Sequence, residues 1–261
     1  MRVLITGASS GIGEALAIQA ANRKHDLVLV ARRKDLLDEL ANRFTSDHGI
    51  EVETIKADLT NKIDSEKVVQ RIERGDIDIL INNAGFGSSG PFVELNIENE
   101  LNEIDLNVLA LVQLTHAAAN SMVQKGHGTI VNISSIASYQ PMAGNAVYGA
   151  TKSFVTSFSH AIREELSETG VNVMVVCPGP TESEFFTRSK WIDATSSKTH
   201  PAFLWQTSKD VARITFKGID NQKGVVIPGV TNKFLAAVSS SLPGSLTRKV
   251  SAFVAKGRRL R

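Results

Sequence analysis

The sequence predicts a doubly wound α/β fold: a single domain with a parallel sheet of about seven strands covered by helices on both faces. Three observations carry this expectation. Short β-branched and aliphatic runs alternate along the chain with longer segments of helical period. The runs are nearly continuously apolar, as strands buried on both faces must be. A glycine-rich turn joins the first run to the first helical segment, the place where such sheets approach an anion.

Taken in order, "RVLIT" (2–6) reads as the first strand and 12–23 as the helix that follows. "DLVLVA" (26–31), "EVETIKA" (51–57) and "IDILIN" (77–82) read as the next three strands, separated by helices near 35–47 and 62–74. One long helix is expected over 97–124, then the strand "TIVNIS" (129–134), a helix over 147–168 and the strand "VNVMVVC" (171–177). A helix near 208–219 and the strand "GVVIP" (224–228) complete the alternation. The irregular stretches 85–96, 136–146 and 179–206 each follow a strand. Loops at strand carboxyl ends are where doubly wound sheets hold ligands, so these three are expected to share one cleft.

Length and balance exclude several classes. With 261 residues, 42% of them hydrophobic, the chain can bury one substantial core. Its 29 basic and 27 acidic residues leave a net charge of +2, too balanced for a nucleic-acid footprint. The lone Cys177 cannot form an internal disulfide, and the histidines show no ligand-like pair, so a reduced, metal-free interior is expected. "MRVLITG" is too short for a signal segment and no unbroken apolar run approaches a membrane span, which points to the cytoplasm.

The turn "GASSGIG" places Gly7, Gly11 and Gly13 at G-x-x-x-G-x-G rather than at the ordinary dinucleotide spacing. It reads either as a cradle whose amides and helix N-terminus face a pyrophosphate, or as a plain strand-to-helix turn that needs glycine. Asp58 in "ADLT" either accepts from an adenine amino group or caps the next helix. "NNAG" (82–85) either borders the same cleft or is only a tight turn. At the end of the second strand, where a carboxylate would hydrogen-bond ribose hydroxyls, stands Ala31, followed by Arg32 and Arg33. Guanidinium groups suit a 2'-phosphate, and basic charge in a first helical turn calls for a compensating anion.

In "SSIASYQPMAGNAVYGATK" (134–152), Tyr148 and Lys152 lie four residues apart on a helical segment and share one face, about 6 Å apart along the axis. An ammonium there is expected to lower the tyrosine pKa, so that the phenol exchanges a proton during carbonyl–alcohol interconversion. Ser135 then hydrogen-bonds the substrate oxygen.

Together these residues resemble the classical short-chain dehydrogenases/reductases over nearly the whole chain. The ordered matches are "TGASSGIG" (6–13), Asp58, "NNAG", Asn107 in "DLNVL", Ser135, "YGATK" (148–152) and "PGPTES" (178–183). The resemblance implies a Rossmann-like fold and a nicotinamide dinucleotide cofactor, and the Ala31-Arg32-Arg33 stretch makes NADP(H) the preferred one, with NAD(H) admitted as well. It implies that Tyr148 is the general acid/base, that Lys152 binds nicotinamide-ribose hydroxyls, that Ser135 polarises the substrate oxygen and that Asn107 supports a proton-relay water. The family's spacing of 13 residues before the tyrosine selects Ser135, with the adjacent Ser134 as runner-up. Ser9 and Arg32 are expected at the 2'-phosphate, with Ser10, Ile12 and Arg33 around the phosphates. Asp58 and Leu59 are expected at the adenine, Asn83, Ala84 and Gly85 along the cofactor, and Pro178, Gly179, Thr181 and Ser183 at the nicotinamide end. Some NADP-preferring members carry a basic residue where this chain has Ser10.

The implied reaction is hydride transfer, most simply reduction of a ketone or aldehyde. Phe185, Phe186, Trp191, Phe203 and Trp205 in the substrate loop 179–206, with Phe86, Phe92 and Met142, read as an apolar lid, while Glu182 and Glu184 discourage an anionic substrate. A medium-sized apolar carbonyl compound fits best. The alternatives are a 3-oxoacyl thioester reductase and a non-catalytic dinucleotide-binding scaffold. Residues 1–230 hold the dinucleotide and the chemistry. Residues 231–261 form a helical extension, split at Pro243-Gly244, whose basic end is read as covering the cleft or a neighbour in preference to an anionic membrane. The resemblance also implies a homodimer or homotetramer formed through 97–124 and 147–168.

Overall fold

The strand β1 (Arg2–Thr6) is nearly solid hydrocarbon, and its neighbours in the sequence alternate with helices as follows: α1 (Gly11–Asn22), β2 (Asp26–Ala31), α2 (Lys34–His48), β3 (Val52–Lys56), α3 (Lys62–Ile72) and β4 (Ile79–Asn82). The second half runs α4 (Ile97–Ile104), α5 (Leu111–Lys125), β5 (Gly128–Ile133), α6 (Ala146–Glu165), β6 (Val171–Val176), β7 (Thr181–Glu182), β8 (Gln206–Thr207), α7 (Ser208–Asp220), β9 (Val225–Val226) and α8 (Val230–Ser241). This is a computed structural model, and it describes residues 1–182 and 205–241. Ser183, Glu184, Phe185, Phe186, Trp191 and Phe203 of the anticipated lid, and the tail from Pro243 onward, lie outside the described residues.

The main sheet has seven strands in the order β3-β2-β1-β4-β5-β6-β9, every neighbour parallel. The chain winds outward from β1 to β3 and returns to β4, so the switch of direction falls between β1 and β4, where a cleft opens at their carboxyl ends. This is the Rossmann-like fold. Strand periodicity sorts the core into two layers. Val3 and Ile5 face α1 and α2 with Leu16, Leu37 and Phe44, whereas Leu4 faces α3 and α5 with Val68, Ile72 and Leu114. Each fully buried side chain of this size contributes roughly 1.5–3 kcal/mol, which is why the apolar runs need no polar alternation.

The structure differs from the sequence expectation in three places. The long helix over 97–124 is interrupted by a π-helical turn, Asp105–Ala110, between α4 and α5. The last strand is two residues long, with Val225 and Val226 alone pairing with β6. A second, two-stranded parallel pair, β7 with β8, ties Thr181 to Gln206 and so joins the two ends of the 179–206 loop. Although no unbroken apolar run reaches a membrane span, the segment Ile97–Lys125 is long and apolar enough to cross one by length and composition; 44% of its most apolar window is buried inside the fold. The end α8 packs back on the domain, with Asn232 against Gly179 and Ser239 reaching Gln140.

Candidate active site

At the β1–α1 turn, Gly7 has a φ of +66°, which a side chain would strain, and a Cβ there would stand 2.9 Å from the Ala84 Cα. The "NNAG" segment locks this turn. The amides of Asn83 and Ala84 donate to the Thr6 hydroxyl at 3.0 and 2.9 Å, and the Asn83 side chain donates to the carbonyls of Thr6 and Gly7 at 2.9 and 3.3 Å. Asn83, expected along the cofactor, therefore uses its side chain to shape the cradle. Behind it, Asn82 crosslinks Thr115 and Asn132 inside the fold.

Helix α1 starts at Gly11 with Ser10 as its N-cap, and Ser10 makes no side-chain capping hydrogen bond. Arg33 closes over the same turn, donating to the Ser10 hydroxyl at 2.7 Å and to the Ser9 hydroxyl at 3.1 Å. The sequence paired Ser9 with Arg32; the structure pairs it with Arg33. Arg33 caps α2 in an extended conformation, so consecutive side chains diverge. Arg32 turns outward, 65% exposed, with Nη1 3.8 Å from Asp58 Oδ2. Asp58 does not cap α3. Its Oδ1 accepts from the Thr60 amide and hydroxyl at 3.1 and 2.8 Å, and Asn61 is the cap that accepts from Ile63 and Asp64. Leu59 beside it is buried.

The π turn brings Asn107 inward. Its Oδ1 accepts from the Phe86 amide at 3.2 Å, and its Nδ2 donates to the Phe86 carbonyl at 2.9 Å and to Thr151 Oγ1 at 3.1 Å. A π bulge rotates one residue out of helical register, and such bulges concentrate at functional sites. Asn107 stands next to Gly85, where a Cβ would lie 2.9 Å from Asn107 Oδ1 and 3.4 Å from Lys152 Nζ.

The serine pair separates cleanly. Ser134 is buried and donates to the Lys152 carbonyl at 2.8 Å while sharing a hydrogen bond with Thr156. Ser135 points to the other side, accepts from the Ala137 amide at 3.1 Å and is hydrogen-bonded to the Tyr148 phenol. Tyr148 and Lys152 lie on one face of α6, both buried, with Nζ 5.8 Å from the centre of the tyrosine ring and donating to the Ile133 carbonyl at 3.0 Å. The ammonium does not lower the tyrosine here, contrary to expectation. Burial pushes the Tyr148 phenol up to about 12, against the pull of the Ser135 hydrogen bond, and burial pushes Lys152 down to about 8. The reason is that both groups leave water together and the ammonium lies over the ring while held by Ile133.

Hydrogen bonds join two of the three strand-end loops, 85–96 and 136–146, and tie the second to Pro178 just before the third. The Ile136 amide donates to the Pro178 carbonyl at 3.0 Å, the Gly90 amide to the Gly144 carbonyl at 2.9 Å, and Asn145 Nδ2 to the Ser88 carbonyl at 2.7 Å. Thr181, expected at the nicotinamide, donates its hydroxyl to the Gly179 carbonyl at 2.9 Å, shaping the turn after Pro178. Phe86, Met142 and Trp205 are half-buried, but Phe92, expected over the cleft, is 57% exposed on a short 3-10 turn, Phe92–Glu94. Sequence reasoning missed Gly87, Asn145 and Glu103. Gly87 lies on the Tyr148 ring, and the only signal for it was the run of small residues "GFGSSG".

An uncapped helix N-terminus facing a guanidinium group is electrostatically unfavourable until an anion stands between them, so the turn fits the phosphates of a dinucleotide. With a proton-carrying phenol, a serine hydroxyl and an ammonium on the adjoining wall, the fold and site define an oxidoreductase of the dinucleotide-dependent, doubly wound class. Residues 1–191 match the family described as short chain dehydrogenase, and the chain belongs to that family. It is 34% identical over 234 residues to the NADP-dependent 3-hydroxy acid dehydrogenase of Schizosaccharomyces pombe, covering 86% of this chain and 89% of that protein. Among solved structures it is similar to a short-chain dehydrogenase from Sphingobium yanoikuyae in complex with NADPH, with 39% identity, a TM-score of 0.82 and coverage of 93% and 96% of the two chains. It is also similar to the bulky-bulky ketone specific alcohol dehydrogenase from Comamonas testosteroni, with 34% identity, a TM-score of 0.78 and coverage of 93% and 94%.

Proposed function

We propose that the protein is an NADP(H)-dependent carbonyl reductase that reduces a medium-sized, apolar ketone or aldehyde to the alcohol. The observation that carries this reading is the contact of Ser135 with the Tyr148 phenol above Lys152, a proton donor and an oxyanion partner converging on one point. Bound NADPH supplies hydride to the carbonyl carbon. Tyr148 gives its phenolic proton to the carbonyl oxygen, Ser135 donates a hydrogen bond to the same oxygen as charge grows there, and Lys152 holds its ammonium over the tyrosine ring. Asn107 fixes the Phe86 backbone beside them.

The NADP(H) preference is supported by Arg33 standing over Ser9 and Ser10, where it supplies the basic group that position 10 lacks, and by the NADP-dependent and NADPH-bound relatives. Gly7, Gly11, Ile12 and Gly13 then line the pyrophosphate, and Asp58 with Arg32 the adenosine end. The apolar substrate is supported by Phe86, Met142 and Trp205 and by the bulky ketone named for the relative from Comamonas testosteroni. The exposed apolar residues Ile97, Leu101, Ile104, Leu109 and Phe154 on α4, the π turn and α6 support a homodimer or homotetramer, and the buried lone Cys177 suits a cytoplasmic protein.

The test is a fluorescence titration with NADPH and NADH, followed by turnover of free apolar ketones, hydroxy acids and pantetheine-linked oxoacyl esters. Tight NADPH binding with turnover of free ketones is expected. A requirement for the pantetheine-linked esters would move the assignment to a 3-oxoacyl thioester reductase, and binding without any turnover to a dinucleotide-binding scaffold.

A further inference from the structure

Two carboxylates lie inside the protein one turn apart on α4, the second of them close to the reacting pair, and nothing in the proposed chemistry uses them. Glu103 is wholly buried and Glu100, one turn earlier on α4, is 2% exposed. Glu103 accepts from the Ser88 amide at 3.0 Å and is also reached by the Ser88 hydroxyl, whereas both oxygens of Glu100 have no hydrogen-bond partner among the described residues. Burying carboxylates this poorly satisfied is costly, and a glutamine at position 103 would accept the Ser88 amide proton without a charge to bury. Retaining the acid therefore points to a use for its charge.

Two relationships say what the use is. The first is mechanical. Helix α4 and the π turn hold the loop after β4 at two points, Asn107 on Phe86 and Glu103 on Ser88, and Gly87 between them lies directly on the Tyr148 ring. The Ser88 carbonyl accepts from Asn145, the N-cap residue of the helix that carries Tyr148 and Lys152. The second is electrostatic. Lys152 Nζ and Asn107 Oδ1 flank the same point at Gly85, 3.4 and 2.9 Å from where a Cβ would stand, and Glu103 lies one turn before Asn107, so a buried carboxyl and a buried ammonium share this side of the loop. We propose that Glu103 is a positioning residue for the Tyr148–Lys152 pair: its charge holds Lys152 as an ammonium, and its bond to Ser88 seats the Phe86–Ser88 loop against the tyrosine ring.

The protonation behaviour agrees. Burial, with Glu100 adding to it, pushes Glu103 up to about 7 against the pull of the Lys152 charge, and burial pushes Lys152 down to about 8 against the pull of the Glu103 charge, so each group opposes the neutralisation of the other. The groups that face the pair are Glu100 on α4, Ser88 on the loop, Tyr148 on α6 and Cys177 after β6. The inference rests on the reading of Tyr148 and Lys152 as the reacting pair, and its test is readable without turnover.

The experiment is an NMR titration of carbon-13-labelled lysine from pH 6 to 11, with the Lys152 signal assigned through Lys152→Arg. Glu103→Gln keeps an acceptor for the Ser88 amide and removes the charge, placing an NH2 group where the second carboxylate oxygen stands. It is expected to lower the Lys152 midpoint by about one pH unit, without lowering the melting temperature. An unchanged midpoint in this folded variant overturns the counter-charge role. For the mechanical role, Glu103→Ala is expected to reduce kcat by about tenfold with KM for NADPH nearly unchanged, and Glu103→Gln to recover most of the loss below pH 7. Full kcat in Glu103→Ala overturns the positioning role. A wild type that shows the expected Lys152 shift on substitution yet reduces no carbonyl would remove the functional reading and leave the Glu103–Lys152 coupling standing.

Discussion

Gly87 packs on the ring of Tyr148 so closely that a methyl group on its Cα would stand 2.6 Å from Cδ2 of the tyrosine. The ring position is thus set by backbone from a different loop. Gly87→Ala must displace either the loop or the ring. We expect a loss in kcat of roughly 10–100-fold and a destabilisation of about 1–3 kcal/mol, read from turnover and denaturant melts of the same preparation. Unchanged kcat would mean that the loop yields and the ring does not.

The two arginines after β2 should separate in binding. Arg33 contacts the hydroxyls of Ser9 and Ser10, whereas Arg32 is mostly in solvent near Asp58. Arg33→Ala is expected to weaken NADPH binding by about 10–100-fold and to leave NADH nearly unaffected, since only the former carries the 2'-phosphate. Arg32→Ala should have the smaller effect. Fluorescence titrations of both variants with both cofactors check this, and the reverse ranking would return the phosphate to Arg32.

Ser134 and Ser135 predict opposite phenotypes. Ser135→Ala removes the hydroxyl bonded to Tyr148 and is expected to lower kcat/KM by about 10²–10³-fold with little change in stability. Ser134→Ala leaves the Lys152 carbonyl and Thr156 short of a buried partner and should cost about 1–2 kcal/mol in stability, with a smaller effect on turnover. Paired melting and kinetic measurements distinguish them.

Acid stability should depend on a cluster far from the cleft. Burial works against the Asp76 charge, but the hydrogen bonds and charges of Arg71 and Arg2 outweigh it and bring the carboxyl down to about 2. A carboxyl depressed in the folded state stabilises above its unfolded value, and the stabilisation is lost as pH falls from about 4 toward 2. The melting temperature of the wild type should drop through that window, and Asp76→Asn should melt lower at pH 7 but drop less on acidification.

The glycine turn was legible because it is written locally. Gly7, Gly11 and Gly13 are required by one turn, so adjacent residues carry its signal, whereas which of the two adjacent arginines closes on it was not legible. Tyr148 and Lys152 were legible for the same reason, four residues apart on one helix. Asn107 was found by resemblance, but the π turn that aims it was not, because a helical apolar pattern reads through a one-residue bulge.

By itself, then, the sequence determined the layers of the sheet, the order of its elements and the residue types that meet at the strand ends, since these follow from periodicity and from short-range spacing. Tertiary structure alone decided that Arg33 rather than Arg32 closes on Ser9, that Ser134 is a structural partner of Lys152, that Gly87 braces Tyr148 and that Glu103 is buried on the helix that holds the loop against Tyr148. The physical reason is common to all four. Each depends on which of two neighbouring side chains points inward, or on a contact across elements distant in sequence, and burial then resets the charges so that Tyr148 rises and Lys152 falls.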